Sequence, residues 1–388
     1  MGCDAVMIYL FQRQLPAYRI PMLRYLNEEL SGDLIVFTSM PDIPRNSVNK
    51  LGFAVGAVPQ KDFMGASFSL QDVTKVVDAG RNTHKVSAVI LEASLRNINL
   101  FPNLIALKRR KIPVILWGHA GSRRRDMVRS KDPRDLVFKM AIKRADAFIT
   151  YTENDRHRLE RIVGEGTIFT ARNTIDATAL TKLKDNCERD GKENIKNRLG
   201  LSKTYYLCYI GRLLKEKRID IFLRTLRFLQ EKDLDIGAII IGEGPLLTDL
   251  KLLGARLDVK HVHWLGRIDS YSESAPFLYA SDIQLIPGAV GLSFNHGLAF
   301  GLPLVTCVTS KDGPFHGPEI DYMVEGSTGA MVDSKNVEDI AETVNEVIQK
   351  LPHYKKESQN YFHTKLGVNS FLAGFMDAIH FVDNEVSR

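Results

Sequence analysis

Short apolar runs rich in β-branched residues alternate along this chain with longer stretches of mixed polar and apolar character. The runs AVMIYLF (5–11), LIVFTS (34–39), SAVILEA (87–93), PVILWGH (113–119), AFITYT (147–152) and TIFTARN (167–173) have strand length and composition. Helix-like segments near 20–30, 101–111, 134–144 and 153–163 lie between them. A second series follows: YYLCYIG (205–211), IGAIIIG (236–242), VHWLG (262–266), IQLIP (283–287), PLVTC (303–307) and GAMVD (329–333). Amphipathic stretches at 219–231, 244–256, 273–280 and 336–350 separate these. Strands alternating with helices make βαβ units, so the pattern predicts mostly parallel sheets covered on both faces.

Between Ala177 and Leu201 the chain turns polar, which marks the expected inter-domain connection, part of it helical. The reading is two doubly wound α/β domains, 1–176 and 177–357. A helical tail, about 358–388, packs back on the first. At 388 residues each domain has room for a substantial core. Ligands of such sheets bind beyond the carboxyl ends of the strands. The loops after Trp117, Ile210, Ile241, Leu265 and Pro287 are therefore the places to look for chemistry.

Composition, 44% hydrophobic and 25% charged, is that of an ordinary folded protein. No apolar run reaches the roughly 18 residues that a membrane span needs. The start, MGCDAVMIYLF, lacks the pattern of a cleaved leader, and Val6 stands where an acylation signal carries Ser or Thr. Cys3, Cys187, Cys208 and Cys307 show neither metal-ligand spacing nor a disulfide framework. A reducing cytoplasm follows. The net charge of +6 is concentrated: positions 103–144 hold thirteen Lys or Arg against three Asp. This stretch, with its Lys108–Lys111 and Arg123–Arg125 blocks, is either a solvated helix face or a docking surface for an anionic membrane or a phosphorylated partner. No nucleic-acid-binding pattern accompanies it.

Three strand ends carry candidate chemistry. Gly211 closes a strand, with Arg212 next and Lys217 five residues on. The two cations suit a diphosphate leaving group, and the alternative is a solvated turn. In WGHAG, His119 stands between Gly118 and Gly121, as a ligand contact or a structural histidine. The stretch PGAVGLSFNHGLAFGLPLV (287–305) is uncharged except for His296. A glycine loop entering a short buried helix offers free N–H groups to an anion without any cationic side chain. His296 points into that site or onto the core. IGEGP (241–245) lacks the third glycine of a dinucleotide fingerprint, and Walker A, GxSxG and HExxH sequences are absent.

Taken together these residues resemble the retaining nucleotide-sugar glycosyltransferases of glycosyltransferase family 4. GRLLKEK is similar to its GRLxxxK, IGEGP to its GxGP, LYASDIQLIP to its yxxADvxvxPS, and GLAFGLPLV to its EAMAxGxPVV. GPEIDYMVEGSTGAMVD is similar to gxxEiixxgxxGxlv, and RNTID to the pNGvD of the inter-domain crossing. FQRQLPAYRIPMLRYL resembles the N-terminal stretch of bacterial members that build surface polysaccharide such as O-antigen and capsule.

The resemblance implies a GT-B fold, two Rossmann-like domains facing a central cleft, and transfer of a hexose from a nucleotide sugar to a hydroxyl of a glycan, lipid-linked in many such pathways. It implies that Arg212 and Lys217 hold the donor diphosphate, with Gly211 beside them. Backbone N–H groups near Gly291, Leu292 and Ser293 bind phosphate and orient the sugar. His119 contacts the donor sugar, His296 the ribose, and Glu319 either the donor or its own helix end. The chain departs from the family's Glu-x7-Glu. His296 takes the place of the second Glu, the first has no counterpart, and the loop is about three residues short. Members with PGxVGL…H look similar here, so the departure reads as a subfamily trait. No cofactor and no metal are expected, and the place of action is the cytoplasm, peripheral on the inner membrane face. A sugar-nucleotide epimerase and a non-catalytic binder are the rival readings.

Overall fold

A computed structural model describes residues 6–39, 51–58, 60–63, 68–121 and 127–386. The Met1–Cys3 start and the Arg123–Arg125 block lie outside the described residues. The chain forms two compact units, 1–175 with 368–388 and 176–367.

In the first unit the strands are β1 (Val6–Gln12), β2 (Leu34–Thr38), β3 (Ala54–Ala57), β4 (Gln60–Phe63), β5 (Phe68–Gln71), β6 (Lys85–Glu92), β7 (Val114–Trp117), β8 (Ala147–Thr150) and β9 (Ile168–Thr170). Seven form one sheet in the order β3-β2-β1-β6-β7-β8-β9, every pair parallel. The antiparallel pair β4–β5 stands apart. Strands β3, β4 and β5 are additions to the sequence reading. They are four residues each and carry little of the β-branched signal, which is why pattern alone passed over them.

Apolar side chains fill both faces of this sheet. On one face Tyr9, Phe11, Val89, Leu91, Val114 and Leu116 pack together. On the other, Ile8, Leu10, Ile115, Trp117 and Ile149 meet Phe371, Phe375 and Ile379 of the helix Val368–Val386. Trp117 and Phe375 rings meet edge to face, 4.8 Å between centroids. Burying each such large side chain contributes about 2–3 kcal/mol. This fastens the chain's last helix to its first unit.

In the second unit β10 (Tyr205–Ile210), β11 (Ile236–Ile241), β12 (Val262–Gly266), β13 (Ile283–Ile286), β14 (Leu304–Cys307) and β15 (Gly329–Val332) form a parallel sheet ordered β12-β11-β10-β13-β14-β15. That is the doubly wound order in which the chain works outward from the centre, returns, and continues on the other side. The direction reverses between β10 and β13. In the first unit it reverses between β1 and β6.

The stretch 177–201, expected to be helical in part, is helical over most of its length. It folds as the helices Ala177–Asp190 and Lys192–Leu199 and belongs to the second unit. Ala177, Leu180, Lys184 and Cys187 are buried at helical spacing, and a lysine in that stripe hides the pattern in the sequence. Lys192 and Lys355 both pair with the buried Asp282 just before β13, at 2.6 and 2.9 Å. Burial pushes the Lys192 ammonium down to about 8, against the pull of Asp282. Asp282 thus ties both ends of the second unit to its central strands.

Candidate functional site

The site in the second unit is built from the two loops that leave β10 and β13 on either side of the switch point. After β10 comes Gly211, and the chain continues through Arg212 into the turn Lys215–Lys217. After β13 the loop 287–292 leads into the helix Ser293–Ala299. The loops are stitched together: the Ala289 N–H donates to the Glu216 carbonyl (2.7 Å) and Lys217 Nζ to the Ala289 carbonyl (2.5 Å). Gly288 permits this, since a Cβ there would lie 2.1 Å from the Glu216 oxygen. The glycines of IGEGP serve the same end. A Cβ on Gly242, where φ is +146°, would fall 1.8 Å from the Gly211 oxygen. They let β11 and its loop lie against the β10 loop.

This construction gathers most of the residues singled out from sequence. A Cβ at Gly291 would have Lys217 Nζ 3.8 Å away, and one at Gly211 would have the Ser293 Cβ at 4.0 Å. Among the described residues, the backbone N–H groups of Gly291, Leu292 and Ser293 enter no hydrogen bond, whereas those of Phe294 and Asn295 bond back to Gly291 and Leu292. Three unpaired donors therefore stand near a half-buried ammonium. Burial lowers the Lys217 pKa, and the carboxylates of Glu216 and Glu319 work against that. Glu319 is buried in the short helix Pro318–Tyr322, with its carboxylate against Gly317 and Gly317 against Gly291. Arg212 is exposed, and its guanidinium has no partner among the described residues.

His296, one turn into the helix, meets the Tyr271 ring edge-on at 5.7 Å. Burial pushes its pKa down to about 4, against a smaller upward pull from the Leu292 backbone, so the ring is neutral near pH 7. A neutral imidazole can still donate or accept one hydrogen bond to a hydroxyl.

Sequence reasoning passed over His316. It is buried and accepts the Val290 N–H at Nδ1 (3.0 Å), and its Nε2 meets the Cys307 carbonyl at 2.9 Å. The first contact fixes the tautomer: Nε2 carries the proton and donates to Cys307. This ring braces the 287–292 loop against the end of β14. Its only signal was a histidine within the Gly/Pro-rich loop KDGPFHGPE.

His119 belongs to the first unit. It is exposed at the end of β7, edge-on to the Tyr151 ring at 4.9 Å. It lines a cavity of about 570 Å³ at the β1/β6 switch point, together with Arg13, Arg19, Glu92, Arg96 and Tyr151. Apart from His119, none of these was marked as a site residue in the sequence.

Residues 191–363 match the family model of group 1 glycosyl transferases. The D-rhamnosyltransferase WbpZ of Pseudomonas aeruginosa is 27% identical over 133 residues, 33% of this chain and 32% of that protein. The GDP-mannose-dependent alpha-(1-6)-phosphatidylinositol monomannoside mannosyltransferase of Mycolicibacterium smegmatis is 27% identical over 171 residues, 41% of this chain and 42% of that protein. The matched segments thus span less than half the length of these curated relatives. The crystal structure of Anabaena HepE in complex with UDP superposes with a TM-score of 0.72 at 14% identity, over 96% of this chain and 99% of that one. HepE has also been solved with UDP-glucose. The two parallel-sheet units match GT-B glycosyltransferase structures.

Proposed function

We propose that this chain is a retaining glycosyltransferase that moves a hexose from a nucleotide-sugar donor to a hydroxyl of a glycan acceptor, lipid-linked, in cell-surface polysaccharide synthesis. The observation that carries the reading is the switch-point site of the second unit. Three unspent backbone N–H groups and a half-buried lysine stand there, with an uncommitted arginine on the same loop as the lysine, a donor set that suits a diphosphate. Supporting it are the group 1 model, the two glycosyltransferase relatives, and the UDP and UDP-glucose complexes of HepE.

In the proposed reaction the bond between the anomeric carbon and the phosphate oxygen breaks while the acceptor oxygen bonds to the same face of the sugar. The acceptor proton passes to the departing phosphate oxygen, and the nucleoside diphosphate leaves. Lys217 and Arg212 neutralise the charge that grows on it, and the N–H groups of residues 291–293 hold its oxygens. A diphosphate would also favour the charged form of Lys217, whose pKa burial lowers. With these cations carrying the charge, the reaction uses no metal and no cofactor. His296 hydrogen-bonds the ribose as a neutral ring, and Glu319 is a further donor contact whose carboxylate also favours the charged form of Lys217. The role of His119 toward the donor sugar rests on the WGHAG resemblance.

Arg212→Ala and Lys217→Ala should each lower donor turnover by at least about tenfold, with the fold intact by circular dichroism. Wild-type rates in both would remove the diphosphate assignment. Donor interconversion without acceptor would favour an epimerase, and nucleotide-sugar binding without transfer a binding protein.

A peripheral position on the inner face of the cytoplasmic membrane is part of the proposal. Among the described residues no helix is long and apolar enough to cross a membrane. The helix Pro133–Arg144 exposes Leu136, Val137 and Met140, three of the seven large exposed apolar side chains among the described residues. They share their face with exposed Lys143 and Arg144. The full chain should sediment with anionic liposomes, and less so as salt rises; no binding at low salt would remove the membrane from the scheme.

A further inference from the structure

Five surface arginines of this protein pair with carboxylates: Arg110 with Asp78, Arg156 with Glu160, Arg198 with Asp190, Arg218 with Asp220 and Arg227 with Glu231. Arg19 does not. It follows β1 and lines the 570 Å³ cavity, yet among the described residues no carboxylate comes within 4 Å of its guanidinium. Its Nη2 donates to the Tyr151 hydroxyl (2.8 Å), the group stacks over the Trp117 ring (4.3 Å), and Nε is sealed from solvent without a partner. Tyr151 supplies no counter-charge, because burial pushes its phenol up to about 12. Glu92 lies in the same cavity, where its carboxylate accepts the Arg13 backbone N–H at 2.8 Å. Arg13 and Arg96 add two further guanidinium groups, and the Arg96 side chain is exposed and without a partner among the described residues. Among the described residues lining the cavity Glu92 is the one carboxylate, and neither Arg19 nor Arg96 pairs with it.

A half-buried guanidinium that feels Glu92 only from beyond ion-pair distance is under-compensated, and a bound anion offsets that cost. The cation–π stack and the phenol hydrogen bond hold the Arg19 fork in one orientation, with its remaining donors uncommitted. The volume lies in the range of small-ligand sites and holds a sugar ring together with an ionised substituent.

We propose that this cavity is an oxyanion-reading acceptor site: it takes a sugar that carries a phosphate or carboxylate group, gripped by Arg19 and Arg96. The word acceptor rests on the glycosyltransferase reading; the anion site itself does not. The ionised group comes from a phosphorylated or lipid-phosphate-linked sugar, or from a sugar acid.

The experiment is calorimetric titration of the full chain with methyl phosphate, methyl glucuronide and uncharged methyl glucoside. Both anionic probes should bind the wild type more tightly than the glucoside does. Their affinity should fall by about tenfold or more in Arg96→Gln and in Arg19→Gln, and stay unchanged in Arg227→Gln, a surface arginine paired with Glu231. Tighter methyl phosphate binding identifies a phosphorylated acceptor, and tighter glucuronide binding a sugar acid. Equal affinity for the glucoside overturns the proposal, as does anion affinity indifferent to both substitutions. Because Arg96 is exposed, its variant decides the matter even where Arg19→Gln fails to fold. Loss of anion binding in Arg212→Ala alone would assign the anion to the second unit, overturning this inference while sparing the glycosyltransferase reading. None of the probes carries a nucleotide, so failure of sugar transfer would leave this result standing.

Discussion

At the β1/β6 switch point the polar groups are side chains: Arg13, Arg19, Glu92, Arg96, His119 and Tyr151 surround the cavity. At the β10/β13 switch point they are largely backbone. Gly211, Gly288 and Gly291 clear the space, three N–H groups line it, and Lys217 is clamped to the Ala289 carbonyl. Both sites arise from the same winding of a parallel sheet. A site made of backbone is fixed by the fold and suits a group that never varies, such as a diphosphate. A site made of side chains changes with single substitutions and suits a partner that differs from one protein to the next. Under the proposed function, donor chemistry falls within the recognisable motifs and acceptor chemistry where the motifs are weak.

The largest expected effect tests that division directly. Gly288→Ala would put a methyl group 2.1 Å from the Glu216 carbonyl oxygen, and no side chain can move aside to admit it. The two loops must part, so we expect a stability loss on the order of 3 kcal/mol in chemical denaturation, together with weakened nucleotide binding. Arg96→Gln, at the exposed rim of the other site, should stay within about 0.5 kcal/mol of wild type. If Gly288→Ala is as stable as wild type, or Arg96→Gln is as damaging, the contrast between backbone-built and side-chain-built sites fails.

The same contrast explains what the sequence made legible. Backbone sites need glycines at fixed places after buried strands, and those stand out: Gly211, Gly242 and Gly291 flank the runs YYLCYI, IGAIII and IQLI. Twelve strands could be read because buried parallel strands are near-continuous apolar runs. The helices of 177–199 were hidden by a buried lysine, and β3 to β5 by their shortness. Arg19 sat in plain view within PAYRIPMLRYL, but its meaning depends on lacking a carboxylate neighbour, which is a fact of three dimensions. His316 was opaque for a similar reason. It braces Val290 and Cys307 from a loop whose path no local pattern specifies.

The smallest effect concerns the histidines, one in each site. His119 is exposed at its cavity, whereas His296 is held neutral by burial, with a folded pKa of about 4 against an ordinary value near 6.5. Below pH 6.5 the unfolded chain binds a proton at this position that the folded chain refuses. Stability attributable to His296 is therefore level above pH 7, falls as pH drops from 6.5, and stops falling below about 4. His296→Gln removes the titration, so the stability of wild type minus that of the variant should decrease by roughly 1 kcal/mol between pH 7 and pH 5.5. A difference that is flat across that window would mean that the ring is solvated and takes its proton alike in the folded and the unfolded chain. The glutamate position of the family would then be filled by a chargeable group, and the uncharged, backbone-built character of the 287–305 stretch would no longer hold.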